Sequence, residues 1–122
     1  TQARDMMEKT YKELASGNRL AHVVSYINTN IREKISLDDL AQEACMSKAH
    51  FLRIFKQDMG LTPMEFVLHE RLKLAKKYLL LGQFQIQEVC YMAGFRNITY
   101  FIRAFKQQFG LTPKVFQNQS AL

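Results

Sequence analysis

The sequence predicts an all-α fold in which two tandem helix-turn-helix subdomains are joined by a long connector helix, with about seven helices in total. Three observations support this prediction: an internal repeat, short amphipathic segments with their own start and stop signals, and one longer helical pattern between the two copies. Residues 47–63 (SKAHFLRIFKQDMGLTP) and 97–113 (NITYFIRAFKQQFGLTP) are identical at nine of seventeen positions. Such self-similarity indicates that one supersecondary unit is built twice.

Two helices are predicted at the start of the first unit. The first covers residues 20–31 and carries an inner apolar stripe at helical spacing, formed by Val23, Val24, Ile27 and Ile31. Ser36 predicts the N-cap of the second helix, because a serine hydroxyl accepts hydrogen bonds from the free N–H groups there. Asp38 and Asp39 follow in the first turn, where the helix dipole favours negative charge.

A tight turn and a third helix complete the first unit. The turn is predicted at Cys45 and Met46, and Ser47 caps a helix over residues 48–58. Gly60 ends this helix, because glycine readily adopts the left-handed conformation of a helix C-terminus. Two short helices joined by a turn of about three or four residues are typical of a helix-turn-helix.

The string Gly-Leu-Thr-Pro follows each unit and starts another helix. Thr62 and Thr112 are predicted N-caps, and the proline after each threonine occupies the first helical position, where its missing N–H costs nothing. Glu65 completes a capping box with Thr62. The first of these helices runs to Leu81 and is the predicted connector that holds the two units at a fixed distance.

The second unit repeats this order of signals. Its first helix is predicted to start near Ile86, and its turn, residues 94–96, is longer by one residue than that of the first unit. Asn97 caps the following helix, which covers residues 98–109 and ends at Gly110. Residues 1–18 are predicted to be a linker or the tail of a further domain. The first subdomain is predicted at residues 19–62, the connector at 63–82 and the second subdomain at 83–122.

Charge favours a polyanionic partner. The formal net charge is +6, and Glu88 is the last acidic residue of the chain. The cations that follow it are therefore unopposed, namely Arg96, Arg103, Lys106 and Lys114. A one-signed basic stretch within a folding segment is typical of nucleic-acid binding.

Neither a metal site nor catalytic machinery is predicted. Cys45 and Cys90 lack CxxC or Cys/His ligand spacing, so we interpret them as reduced, half-buried packing residues of a cytoplasmic protein. The histidines His22, His50 and His69 show no HExxH pattern, and no glycine-rich loop that could cradle a phosphate occurs. We therefore expect no cofactor and no enzymatic activity. The absence of a long apolar run and of a signal peptide predicts no membrane contact.

The chain resembles the DNA-binding domain of the AraC/XylS family over residues 20–119. The most specific parts are residues 89–113 (VCYMAGFRNITYFIRAFKQQFGLTP) and the two Gly-Leu-Thr-Pro elements. The resemblance implies seven helices, two recognition helices in successive major grooves, and transcription activation by contact with RNA polymerase. It also implies an effector-binding or dimerisation domain N-terminal to these residues. Cys90 stands where the family usually has alanine.

The exposed faces of the two predicted recognition helices supply the candidate site. Arg53 and Arg103 occupy the same repeat position, where an arginine can bind guanine O6 and N7 with two hydrogen bonds. The candidates for base contact are Ala49, Leu52, Arg53, Ile98, Thr99, Ile102 and Arg103. Phosphate contacts fix the register on the duplex without reading sequence. The candidates for phosphate contact are Lys48, His50, Lys56, Arg96 and Lys106.

Other repeated or clustered residues are predicted to be structural. For Gln57 and Gln107 a structural hydrogen bond is favoured over base reading. A buried face is predicted for the phenylalanines at spacings of three and four, namely Phe51, Phe55, Phe101, Phe105 and Phe109. A solvated face, with a secondary DNA-backbone role as the alternative, is predicted for the connector cations Arg71, Lys73, Lys76 and Lys77.

Three classes of function remain open at the level of sequence. The leading one is a transcription factor that binds double-stranded DNA sequence-specifically. The second is an all-helical protein-interaction module that uses the fold without DNA, against which the unopposed cations argue. The third is the DNA-binding arm of a larger repair or signalling protein.

Overall fold

The computed structural model describes residues 20–120, and regular structure in this range is entirely helical, as predicted. Seven helices occur within it, namely α1 Leu20–Thr29, α2 Leu37–Glu43, α3 Lys48–Met59, α4 Pro63–Leu81, α5 Ile86–Met92, α6 Ile98–Phe109 and α7 Pro113–Ser120. The interpretation of residues 1–18 as a linker or domain tail lies outside the described residues.

The helices divide into two compact units. Of the described residues, the first unit takes 20–30 and 35–65, and the second takes 31–34 and 66–120. The chain therefore passes into the second unit twice, once through a four-residue segment and once within α4. The connector predicted from sequence is a single helix with the expected bounds, and most of it belongs to the second unit.

The core of the first unit comes from one face of each of its three helices. Phe51 and Phe55 of α3 are fully buried, with ring centroids 5.6 Å apart. They lie with apolar residues of α1 and α2 that have little or no exposed surface, namely Leu20, Val23, Ile27, Leu40 and Ala41. Complete burial of one such large side chain contributes roughly 1.5–3 kcal/mol.

An aromatic cluster forms the centre of the second unit. The Phe105 ring lies 5.9 Å from Phe101, 4.6 Å from Phe109 and 5.6 Å from Phe116, measured between centroids. Around it pack buried residues of α4, α5 and the following turn, namely Leu72, Ala75, Leu79, Val89, Cys90, Ala93 and Phe95. The phenylalanines predicted to be structural therefore lie in or against a core in both units.

Capping signals in the sequence are satisfied as predicted. Ser47 Oγ accepts a hydrogen bond from the His50 N–H at 3.2 Å, and Asn97 Oδ1 accepts one from Tyr100 at 2.9 Å. The Thr62 capping box is formed, because Thr62 and Glu65 exchange bonds of 3.2 Å between side chain and backbone.

Helix α1 ends at Thr29, two residues before the predicted end. The carbonyl groups beyond it are bound by an arginine side chain: Arg71 Nε donates to Ile31 O at 3.0 Å, and an Arg71 NH2 group donates to Glu33 O at 2.8 Å. These carbonyls therefore have side-chain partners, and residues 31–34 belong to the second unit. The prediction of a solvated Arg71 was wrong. Burial and the neighbouring Arg96 charge lower the pKa of Arg71.

The two cysteines differ in environment. Cys90 packs in the core as expected, although it is buried and not half-buried. Its Sγ lies 3.8 Å from Phe95 O, and burial raises the pKa of the thiol. Cys45 is exposed, so its interpretation as a half-buried packing residue was wrong. It occupies the helix-turn-helix turn with φ 57°, a left-handed conformation.

Candidate nucleic-acid interface

Each unit contains a helix-turn-helix with the same backbone turn. In the first, the N–H groups of Cys45 and Met46 donate to Gln42 O and Ala41 O, both at 3.0 Å. The second unit forms the equivalent pair of bonds after α5, from residues 94 and 95 to residues 91 and 90. This pairing is the Schellman motif, which stops a helix with a left-handed residue.

The second turn contains one additional residue, Arg96, between the Schellman motif and the Asn97 cap. Arg96 is exposed, and one of its NH2 groups donates to Arg32 O at 3.0 Å. The side chain of Arg96, a predicted phosphate contact, therefore has a main-chain carbonyl as its partner.

Helix α3, predicted to be the first recognition helix, presents one face to solvent. Ala49, Leu52, Arg53 and Lys56 follow the spacing i, i+3, i+4 and i+7, and all four are exposed. Lys48 and His50 are exposed at the start of the helix. All the contact candidates predicted for the first unit therefore lie on the exposed part of α3. Their contact with DNA stays a prediction.

Helix α6, predicted to be the second recognition helix, has the equivalent face. Thr99, Arg103 and Lys106 are exposed, and Ile98 and Ile102 keep 39% and 36% of their surface accessible. Apolar side chains this exposed on a recognition helix provide surface for thymine methyl groups.

The cations of these two faces differ in their partners. Lys48 Nζ lies 3.2 Å from Asp38 Oδ1, in an exposed ion pair of the kind that contributes only about 0–1 kcal/mol. An Arg53 NH2 group is bonded to His50 Nδ1 at 2.9 Å. Among residues 20–120, the side chains of Lys56, Arg103 and Lys106 form neither a hydrogen bond nor an ion pair, which leaves them available to a phosphate or base.

A cavity of about 230 Å³ opens beside the start of α6. Its lining includes the predicted contacts Arg96, Ile98 and Thr99. Tyr91 also lines it, although the sequence did not indicate Tyr91 as a site residue. Tyr91 keeps 54% of its surface exposed and Tyr100, also missed, keeps 50%. The repeat offset supplied a signal for Tyr100, because that residue occupies the position of His50.

The repeated glutamines do not play the predicted structural role. Gln57 and Gln107 are both exposed, and neither side chain forms a hydrogen bond with the part of the chain that the structure describes. Their position near the exposed C-terminal half of each recognition helix, away from the core face, explains the absence of a protein partner.

Within residues 20–120, no group of three or more potential metal-binding side chains lies close enough together to hold an ion. None of the helices in this range combines the length and the apolar character needed to cross a membrane.

Comparison with known proteins identifies helix-turn-helix DNA-binding domains as similar in both sequence and structure. A family model described as a helix-turn-helix domain matches residues 40–119. A transcriptional regulator from Chromobacterium violaceum with an AraC-type DNA-binding domain has a similar structure, with a TM-score of 0.79 and 30% identity over 88% of this chain and 96% of that chain. The DNA-binding domain of the global transcriptional factor AdpA, solved in complex with target DNA, is also similar. Its TM-score is 0.79, and it is 27% identical over 82% of this chain and 90% of that chain.

Among sequence relatives, the bifunctional transcriptional activator/DNA repair enzyme AdaA of Bacillus subtilis is 35% identical over 64% of this chain and 37% of its own length. The chain spans about a third of the length of the curated relatives it matches.

Proposed function

Because the chain belongs to the AraC-type DNA-binding domains of transcription regulators, we propose that it reads double-stranded DNA with two recognition helices, α3 and α6, in successive major grooves. One observation carries this proposal: the two helices expose equivalent faces with an arginine at the same repeat position, while their phenylalanines are buried. Two equivalent faces on one chain favour two contact regions within one binding site.

Base reading is assigned to the exposed middle of each helix. Arg53 and Arg103 each bind a guanine through O6 and N7. Thr99 bonds a base edge, and van der Waals contact with bases, thymine methyl groups above all, is assigned to the apolar candidates Ala49, Leu52, Ile98 and Ile102. The part of the DNA site read by α3, here called the first box, therefore depends on Arg53 for most of its hydrogen bonding. The part read by α6 is the second box.

Phosphate contacts are assigned to the cations that flank these positions. Lys56 and Lys106 lie on the exposed faces without a protein partner in residues 20–120. Lys48 and Arg96 have exposed partners, which a phosphate oxygen can replace or share. His50 accepts from Arg53 at Nδ1, so its Nε2–H is the group that donates to a phosphate oxygen.

Helix α4 is proposed to act as the connector between the subdomains at residues 19–62 and 83–122. It runs without a break from Pro63 to Leu81. Adjacent major grooves on one face of B-DNA lie about 34 Å apart, or about ten base pairs. We expect an asymmetric site with two boxes at this spacing, bound by one monomer.

The test is binding of single variants to a panel of duplexes with every single-base change across both boxes, after selection of a site from random DNA. Arg53→Ala and Arg103→Ala should each weaken binding by about 1–3 kcal/mol and relax preference in one box, a different box for each variant. Lys34→Ala, which removes an exposed cation outside both recognition helices, is the matched charge control. Relaxation of the same box by both arginine variants would refute the two-groove proposal.

For the whole protein we propose a cytoplasmic transcription activator that contacts RNA polymerase and carries a further effector-binding or dimerisation domain. The support is that the match covers only about a third of the length of the curated relatives, which include activators. The chain itself is proposed to bind DNA without catalysis. The similarity to AdaA keeps one alternative, delivery of a repair domain to DNA, which the domain content of the full-length protein distinguishes.

A further inference from the structure

A hydrogen bond links two side chains on the exposed face of α3. An Arg53 NH2 group lies 2.9 Å from His50 Nδ1, one helical turn away. A guanidinium has five N–H donors and no acceptor, so the ring nitrogen must accept. In a neutral imidazole the proton then resides on Nε2. The bond therefore fixes both the tautomer of His50 and the position of one end of the guanidinium.

The second recognition helix lacks this arrangement. Tyr100 stands at the repeat position of His50, and its ring lies 6.3 Å from that of Phe95. Arg103, the repeat partner of Arg53, forms no side-chain hydrogen bond or ion pair with residues 20–120. The two arginines at this repeat position therefore differ: Arg53 donates to a histidine ring nitrogen, whereas Arg103 has no side-chain partner among residues 20–120.

We propose that His50 is a positioning residue that sets the base specificity of the first recognition helix by holding the Arg53 guanidinium in one orientation. This inference rests on the proposed base reading by Arg53. The bond to Nδ1 uses one of five donors, so the two donors needed for guanine remain available. Arg103 becomes ordered only on contact with DNA, and it therefore tolerates alternative bases more readily.

The expected effect follows from side-chain entropy. Immobilising one long side chain at an interface costs about 0.5–1.5 kcal/mol, which corresponds to roughly a 2- to 12-fold change in binding. Loss of the His50 acceptor should therefore reduce the preference for the base read by Arg53 by about this factor. Binding to sequences that lack this base should change less.

Three substitutions of His50 separate positioning from phosphate contact. In His50→Asn the amide oxygen lies near the former Nδ1 and can still accept from Arg53, whereas in His50→Gln the amide lies near the former Nε2. His50→Ala removes both. Base preference is measured for the full chain across both boxes, with the melting temperature of each variant as the folding control. We expect His50→Asn to keep the preference in the Arg53 box and the other two to lower it, with the second box unchanged.

The repeat supplies a reciprocal experiment. Tyr100→His places an imidazole one turn before Arg103, in the sequence context of the first helix, and should sharpen the preference in the second box by a similar factor. Tyr100→Phe keeps an aromatic ring but supplies no acceptor, and it should leave that preference unchanged.

Two kinds of result would overturn the inference, and they are distinguishable. His50 would be a phosphate contact only if every His50 variant weakened binding to all DNA sequences equally. The same would follow if His50→Gln retained the binding affinity that His50→Asn lost. In both cases Arg53→Ala would still relax the base preference in one box. If Arg53→Ala leaves every base preference unchanged, the proposed base reading itself fails, and the role of His50 fails with it.

Discussion

Gly94 occupies the turn of the second helix-turn-helix at a point where the backbone and a neighbouring chain segment both exclude a side chain. Its φ is 96°, a region that costs an L-residue about 1–2 kcal/mol. A Cβ added there would overlap the Ile31 carbonyl oxygen and lie 2.9 Å from Arg71 Nε. We therefore expect Gly94→Ala to break or distort the bond between Arg71 and Ile31.

The two costs add. Overpacking a filled site costs about 1–3 kcal/mol, so with the backbone cost Gly94→Ala should lose about 2–5 kcal/mol of unfolding free energy. Gly60 is a matched control, because its φ is 82° but an added Cβ meets nothing within 4 Å. Gly60→Ala should therefore lose only about 1–2 kcal/mol.

Urea unfolding followed by circular dichroism measures both variants against the parent. The difference between their losses isolates the contact with residues 31–34. Equal losses for Gly94→Ala and Gly60→Ala would show that the Ile31 carbonyl moves aside without cost, and the structural importance given to this contact would be wrong.

Two further predictions concern charge and thiol chemistry. Lys56→Ala and Lys106→Ala should each weaken binding to all sequences about equally and reduce the steepness of log K against log salt by about one, in anisotropy titrations; a changed sequence preference would instead identify a base contact. A thiol reagent should label Cys45 before Cys90, because Cys90 is buried and its raised pKa lowers the thiolate fraction. Mass spectrometry of the labelled peptides checks this order, and equal rates would contradict it.

Local signals were enough to predict the helices. Ser47 and Asn97 cap helices because their side chains need only the backbone three residues on, and Gly60 reports a left-handed stop directly. Arg71 could not be predicted in this way. Helical spacing put it on an exposed face of the connector, but its carbonyl partners lie about forty residues earlier, where the periodic pattern predicted that the first helix would continue to Ile31.

The candidate site shows the same division. Periodicity was sufficient to place Arg53 and Arg103 on exposed helix faces. It does not determine side-chain rotamers, so the bond between His50 and Arg53 was visible only in the structure. For Cys45 the repeat did carry a signal: at an offset of forty-nine it pairs with Gly94, which indicates a left-handed turn position and not a packed one.

The assignment of residues 31–34 to the second unit bears on the order in which the chain is synthesised. These residues leave the ribosome well before Arg71 and Arg96, the side chains that bind their carbonyl groups. Water must solvate those carbonyls until the later helices emerge, and the half-buried guanidinium of Arg71 has its acceptors only if the earlier segment is retained. Unpaired buried polar groups are costly. A cut at residue 65 would therefore leave the second half without a part of itself, although the repeat makes the two halves look like separable copies.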